Sequence, residues 1–120
     1  MLQTSNANNK YNLEARCLQF AKSARDYIHK LPPTITNIEY GKQLTRSSGS
    51  MGANYIEANE SLSRKDFSMR IKISKKESKE SIYWLELIQS FQKYEQEKIV
   101  LIQEATELMK IFGSISEKTK

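Results

Sequence analysis

The side chains of this chain that point most directly to chemistry are seven cations crowded into sixteen residues. Residues 64–79 carry Arg64, Lys65, Arg70, Lys72, Lys75, Lys76 and Lys79 against Asp66 and Glu77, a local charge of +5. Residues 1–63 hold 7 basic and 5 acidic groups (+2), and residues 80–120 hold 5 and 7 (−2). One segment therefore equals the whole net charge of +5. On a helix turning about 100° per residue, Lys65, Lys72, Lys76 and Lys79 fall within about 60° of one another, with Arg64 and Lys75 alongside. Four ammonium groups along roughly 20 Å can follow a phosphate backbone, and each phosphate neutralised releases counterions. The competing reading is an ordinary solvated face. Recognition of particular bases has no support: there is no arginine-rich major-groove reader, no RNA-recognition-motif signature and no evident aromatic platform beside the lysines. Tyr83 and Trp84 read instead as core or subunit-interface residues. Binding is then expected to rest on backbone and shape, with a steep salt dependence.

The remaining reactive types give less. Glu57, Glu77 and Glu80 raise the alternative of an enzyme, because di-iron bundles place carboxylates and Glu-x-x-His motifs inward from four helices. The nearest piece here is Asp26-x-x-His29, and the chain has 1 histidine, so half the usual imidazole ligands are missing. No metal, cofactor or small-molecule substrate is expected. Glu57 and Glu77 are instead expected to pair with Arg46 or Arg70 and to hydrogen-bond with Asn54, within or between subunits. His29 and Lys30 suit the negative end of a helix dipole. The single cysteine, Cys17, falls on an apolar helix face as a small hydrophobe, forms no internal disulfide and suits a reducing cytoplasm. The serines at 47–50 lack a Gly-x-Ser-x-Gly frame. Gly41-Lys42 fails as a P-loop, since Thr36 stands where glycine is needed and Gln43 where Ser or Thr is needed. No catalytic constellation emerges, and the expectation is a protein that is not an enzyme.

The elements that must carry these residues follow from apolar spacing. With 120 residues, 38% hydrophobic and 28% charged, and with 4 Gly and 2 Pro, the chain suits one small helical domain. It is too apolar for a disordered tail and too poor in turn-formers for a β-sandwich. Apolar runs stop at four residues (82–85 and 99–102), which excludes a membrane-spanning helix, and the first ten residues lack a signal-type hydrophobic stretch. Residues 1–11 read as a loose polar arm, 12–115 as a single bundle domain and 116–120 as a frayed tail. Positions 13, 17, 20, 24, 28 and 31 mark a first helix, stopped by Pro32-Pro33. Thr36 to Glu39 resembles a capping box that opens a second helix, whose face carries Ile38, Gly41, Leu44, Ser48, Met51, Tyr55 and Leu62. The stretch Ser47–Gly52 reads locally as a loop, but the period continues through it, so helix is expected. Its small residues would let a neighbour approach. Ser63 caps a third helix from about Arg64 to Ser90, with Phe67, Ile71, Ser74, Ser78, Ser81, Leu85 and Ile88 inward. A fourth carries two stripes, Ile99, Ile102, Thr106 and Met109, then Leu101, Ala105, Leu108 and Phe112, and should stop near Gly113. The predicted fold class is all-α: an up-down-up-down, left-handed four-helix bundle, oligomeric because helices three and four are apolar over more than one face.

Three segments also carry a family resemblance. Arg46-Ser-Ser-Gly-Ser-Met-Gly-Ala-Asn54-Tyr-Ile-Glu57-Ala58, Ser63-Arg-Lys-Asp66-Phe67 and Ile73-Ser-Lys-Lys-Glu77-Ser-Lys-Glu80-Ser-Ile-Tyr83-Trp84-Leu85 occur in order and close register. Together they resemble the bacterial four-helix-bundle proteins encoded inside intervening sequences of 23S ribosomal RNA genes. The likeness spans Arg46 to Leu85, and helices one and four agree in length and period alone. It implies a four-helix bundle assembled into a ring-like homopentamer. It also implies kinship with the accessory bundles of diversity-generating retroelements, which are basic, pentameric and bind nucleic acid. It brings no established activity. Gly49 departs from the pattern, where a helix-favouring or small β-branched residue is expected. The function expected is non-specific nucleic-acid binding, RNA favoured over DNA, through Arg64, Lys65, Lys72, Lys75, Lys76 and Lys79. Arg46, Asn54, Glu57, Glu77, Glu80, Tyr83 and Trp84 are then structural or interface residues. The alternative is a protein-interaction scaffold using the apolar faces of helices three and four.

Overall fold

Apolar periodicity becomes helix throughout this chain. A computed structural model describes residues 3–120, with side chains from Leu13 onward. It contains α1 (Gln3–Ile28), α2 (Ile35–Asn59), α3 (Arg64–Leu87) and α4 (Glu95–Lys118), with a 3₁₀ turn at Gln92–Tyr94 before α4. The described residues include no strand, and none of their helices is long and apolar enough to cross a membrane. The first helix starts at Gln3, earlier than apolar spacing places it, because a helix once nucleated extends through polar residues. Met1 and Leu2 of the expected arm lie outside the described residues.

The core is one cluster fed by all four helices. Leu13, Cys17, Phe20, Ala24 and Tyr27 of α1 meet Leu44, Met51, Tyr55 and Ala58 of α2. Ile71 and Leu85 of α3, Ile88 beyond it, and Leu101, Ala105, Leu108 and Phe112 of α4 complete it. Two positions expected on the inner face of α2 lie outside: Ile38 is exposed, and Leu62 sits beyond the helix in full solvent. In α4 the second stripe is the buried one, whereas Ile99 of the first is exposed.

Small residues set how closely helices approach. The stretch 47–52 is continuous helix inside α2, as the period requires. A Cβ on Gly52 would lie 2.9 Å from Cys17 Cβ, and one on Gly41 3.3 Å from Ile28 Cγ2, so these two glycines seat α1. Gly49 faces open space. On the other side of α2, Ser47 and Ser81 share a 2.8 Å hydroxyl hydrogen bond, and Ser74 donates to the Met51 carbonyl at 2.9 Å. Buried hydroxyls thereby satisfy one another where α2 and α3 run too close for larger side chains.

The caps differ from expectation in one place. Ser63 caps α3 as expected, accepting from Asp66 N–H at 3.0 Å. The cap of α2 is Thr34 rather than Thr36: its hydroxyl accepts from Asn37 N–H at 3.2 Å. The shift frees Asn37 to point inward. Its amide donates to Pro32 O (3.0 Å) and Gln89 O (2.8 Å) and accepts from Gln89 N–H (3.0 Å), tying the α1–α2 turn to the end of α3. Gly113 does not end α4, which runs on through the expected frayed tail to Lys118 with Ser116 buried. A Cβ there would meet the Lys75 stem at 3.6 Å, an ordinary contact.

Candidate nucleic-acid interface

Helix α3 positions the cations. With Ile71, Ser74, Ser78, Ser81 and Leu85 buried, the opposite face carries Lys65, Lys72, Lys76 and Lys79, all exposed. Arg64 and Lys75 flank them, also exposed, and the Lys75 stem crosses Gly113 of α4. Among the described residues none of these six forms an ion pair. Cations elsewhere do: Arg16 binds Glu104 (2.7 Å) and Glu107 (3.0 Å), Lys30 binds Glu97 (2.7 Å), and Arg25 binds Asp26 (3.0 Å). The six are therefore not neutralised by direct ion pairs, although Asp66 and Glu80 line the two grooves of this face. Arg70, the seventh cation of the segment, is turned the other way and donates to Asn54 Oδ1 at 3.0 Å.

Two shallow grooves lie along this face. One, of about 450 Å³, is lined by Lys72, Lys75, Lys76, Lys79, Glu80 and Tyr83. The other, of about 700 Å³, lies at the start of α3 and includes Arg64, Lys65, Met69, Lys72 and Lys120. Tyr83 is the surprise. It belongs neither to the core nor beneath it: it is 56% exposed and shares a groove with four lysines. An aromatic platform therefore does stand beside the stripe. The signal was present in the sequence, since 18 residues from Lys65 is five helical turns at about 3.6 residues each. Trp84 is half-buried as expected, stacked on Tyr40 (centroids 6.1 Å) and meeting Tyr83 edge-on (5.1 Å).

The structural polar residues form a ladder between α2 and α3. Glu77 is only 5% exposed and is gripped by Arg46, with Nη2–Oε1 3.1 Å and Nη1–Oε2 3.3 Å. Arg46 also reaches Glu80 at 2.7 Å. These contacts raise the Arg46 pKa, chiefly through the Glu77 hydrogen bond. Glu57 departs from expectation: it is exposed and forms no ion pair among the described residues, because Asn54 takes Arg70 in its place. Cys17 is buried, and burial pushes its thiol up to about 12, so it stays protonated and inert at neutral pH. His29 is exposed just past α1, and Asp26 is committed to Arg25.

A family model described as 23S rRNA-intervening sequence protein matches residues 10–114, nearly the whole bundle. The chain belongs to this family. Among solved structures it is similar to a crystal structure of a protein with unknown function from the S23 ribosomal protein family of Bacteroides thetaiotaomicron VPI-5482. The two share 29% identity over 87% of this chain and 97% of that one, with a TM-score of 0.71. No functionally curated protein matches the chain.

Proposed function

We propose that this protein is a non-enzymatic nucleic-acid-binding bundle. It binds phosphate backbones through the α3 stripe of Arg64, Lys65, Lys72, Lys75, Lys76 and Lys79, without reading base sequence. The observation that carries this is the gathering on one exposed helix face of six cations that form no ion pair among the described residues. An unpaired row of ammonium groups gains most from a polyanion, because its counterions are released and no internal bridge is broken. The family's link to 23S ribosomal RNA favours RNA over DNA. The same reading takes the chain as an up-down-up-down, left-handed bundle that assembles with itself, a pentamer as the resemblance implies. The lone reduced cysteine fits a cytoplasmic home.

The test is fluorescence anisotropy with a structured ribosomal RNA fragment and a duplex DNA of similar length, from about 50 to 200 mM salt. Native affinity should fall by orders of magnitude over that range. The Lys65/Lys72/Lys76/Lys79→Glu variant, of unchanged assembly state, should not bind. If neither protein binds at low salt, the lysines are a solvated face.

A second reading, a scaffold for a protein partner, is favoured by the exposure of Ile35, Ile38, Phe91, Ile99 and Val100 away from the stripe. It separates cleanly, because the four-lysine variant would keep a partner held by those side chains.

A further inference from the structure

We propose that Tyr83 is a base-stacking platform at the end of the lysine stripe, so that the ligand of this face is a single-stranded nucleic acid with unpaired bases. The inference rests on the nucleic-acid reading above and specifies its ligand class.

Three features of Tyr83 carry it. The ring is more than half exposed although it stands on a helix of a packed bundle, and an exposed aromatic inside a cationic groove is not explained by burial. Its spacing fits a strand: Lys79 precedes it by one turn, about 6 Å along the axis, with Lys76 and Lys72 roughly 10 and 16 Å away. A strand whose phosphates lie along the lysines thus brings a base to the ring. The ring is also held in place. Trp84 meets it edge-on at 5.1 Å and is itself stacked on Tyr40, which limits collapse of Tyr83 onto the surface.

The local charges agree. Glu80 lines the same groove and would repel phosphate, but its carboxylate is paired with Arg46 at 2.7 Å. The groove at the other end of the stripe offers Met69, 47% exposed, in place of an aromatic ring, so stacking is assigned to the Tyr83 end. A duplex gains nothing from such a ring, since its base faces are already stacked inside and only phosphates reach the lysines. A single strand uses both, and one base stacked on an aromatic side chain is worth about fivefold to a hundredfold in affinity.

The experiment compares three labelled ligands: a single-stranded 12-mer, an abasic sugar-phosphate strand with the same number of phosphates, and the 12-mer duplex, which carries twice as many. The native protein should bind the 12-mer at least about fivefold more tightly than the abasic strand. Tyr83→Ala should abolish that preference, leave abasic-strand binding intact and leave the salt slope unchanged, because no phosphate contact is removed. Tyr83→Phe should keep the preference. Abasic binding also reports that Tyr83→Ala is folded. If the native protein binds the 12-mer and the abasic strand equally, or Tyr83→Ala keeps the preference, stacking is overturned while the lysine interface stands. A Tyr83→Ala protein that changes assembly mass marks the ring as a protein contact and also overturns it. Failure of the native protein to bind any of the three overturns the nucleic-acid reading itself.

Discussion

Arg46 carries two jobs at once. It neutralises Glu77, which the packing of α2 on α3 leaves almost without solvent, and it neutralises Glu80 at the edge of the lysine groove. Removing it strands a buried carboxylate, so Arg46→Ala should destabilise the fold by about 1–3 kcal/mol. Removing both members of the buried pair leaves only Glu80, which water reaches, without its cation, and Arg46→Leu/Glu77→Leu should recover most of that loss. Urea unfolding of the two variants decides it, and an Arg46→Ala midpoint equal to the native one would show that water, not Arg46, satisfies Glu77. This pairing was legible in the sequence, because a carboxylate on an inward helix position must find a cation. Tyr83 was not. An aromatic side chain among Ile82, Trp84 and Leu85 is assigned to the core by its neighbours, and only the turn-by-turn register with Lys65 places it outside.

The elements obey the same local rules except where a tertiary demand outweighs them. Thr34 and Thr36 are both credible caps, and Glu39 favours Thr36 on local grounds alone. The choice of Thr34 follows from Asn37, which three hydrogen bonds hold against Pro32 and Gln89 some fifty residues away. Gly113 reads as a stop signal, yet it does not adopt a positive φ and α4 continues through it to Lys118. The glycines of α2 make this distinction measurable. At Gly49 an added methyl meets nothing within 4 Å, so Gly49→Ala should stabilise by about 0.5–1 kcal/mol through helix propensity. At Gly52 the same methyl meets Cys17 Cβ at 2.9 Å, an atom fixed to the backbone of α1, and Gly52→Ala should cost about 1–3 kcal/mol despite the same propensity gain. Thermal melts of the pair should move in opposite directions. A Gly52→Ala protein as stable as Gly49→Ala would mean that α1 shifts freely on α2, against the close seating at Gly41 and Gly52.

At the scale of the molecule, exposed Met69 and Tyr83 share the grooves of the stripe, but a second group of exposed apolar side chains lies on other elements, and the proposed assembly uses that group. The stripe runs from Lys65 to Lys79, whereas Ile35, Ile38, Phe91, Ile99 and Val100 are exposed at the start of α2, before α4 and in its first turns. Such side chains gain by being covered by another copy, and covering them leaves the stripe open. Each protomer would then add one stripe to a shared surface, converting successive contacts of a long strand into intramolecular ones. Ile99→Gln/Val100→Gln should shift the sedimenting species toward the protomer. It should also remove a length-dependent gain of about 10²–10⁴ in affinity for a strand of some sixty nucleotides over a 12-mer. Binding of the 12-mer, part of which one stripe of roughly 20 Å covers, should change far less. Equal affinity of the native protein for long and short strands at equal site concentration would show that the stripes act singly, and a native protein sedimenting as one chain would remove the assembly altogether.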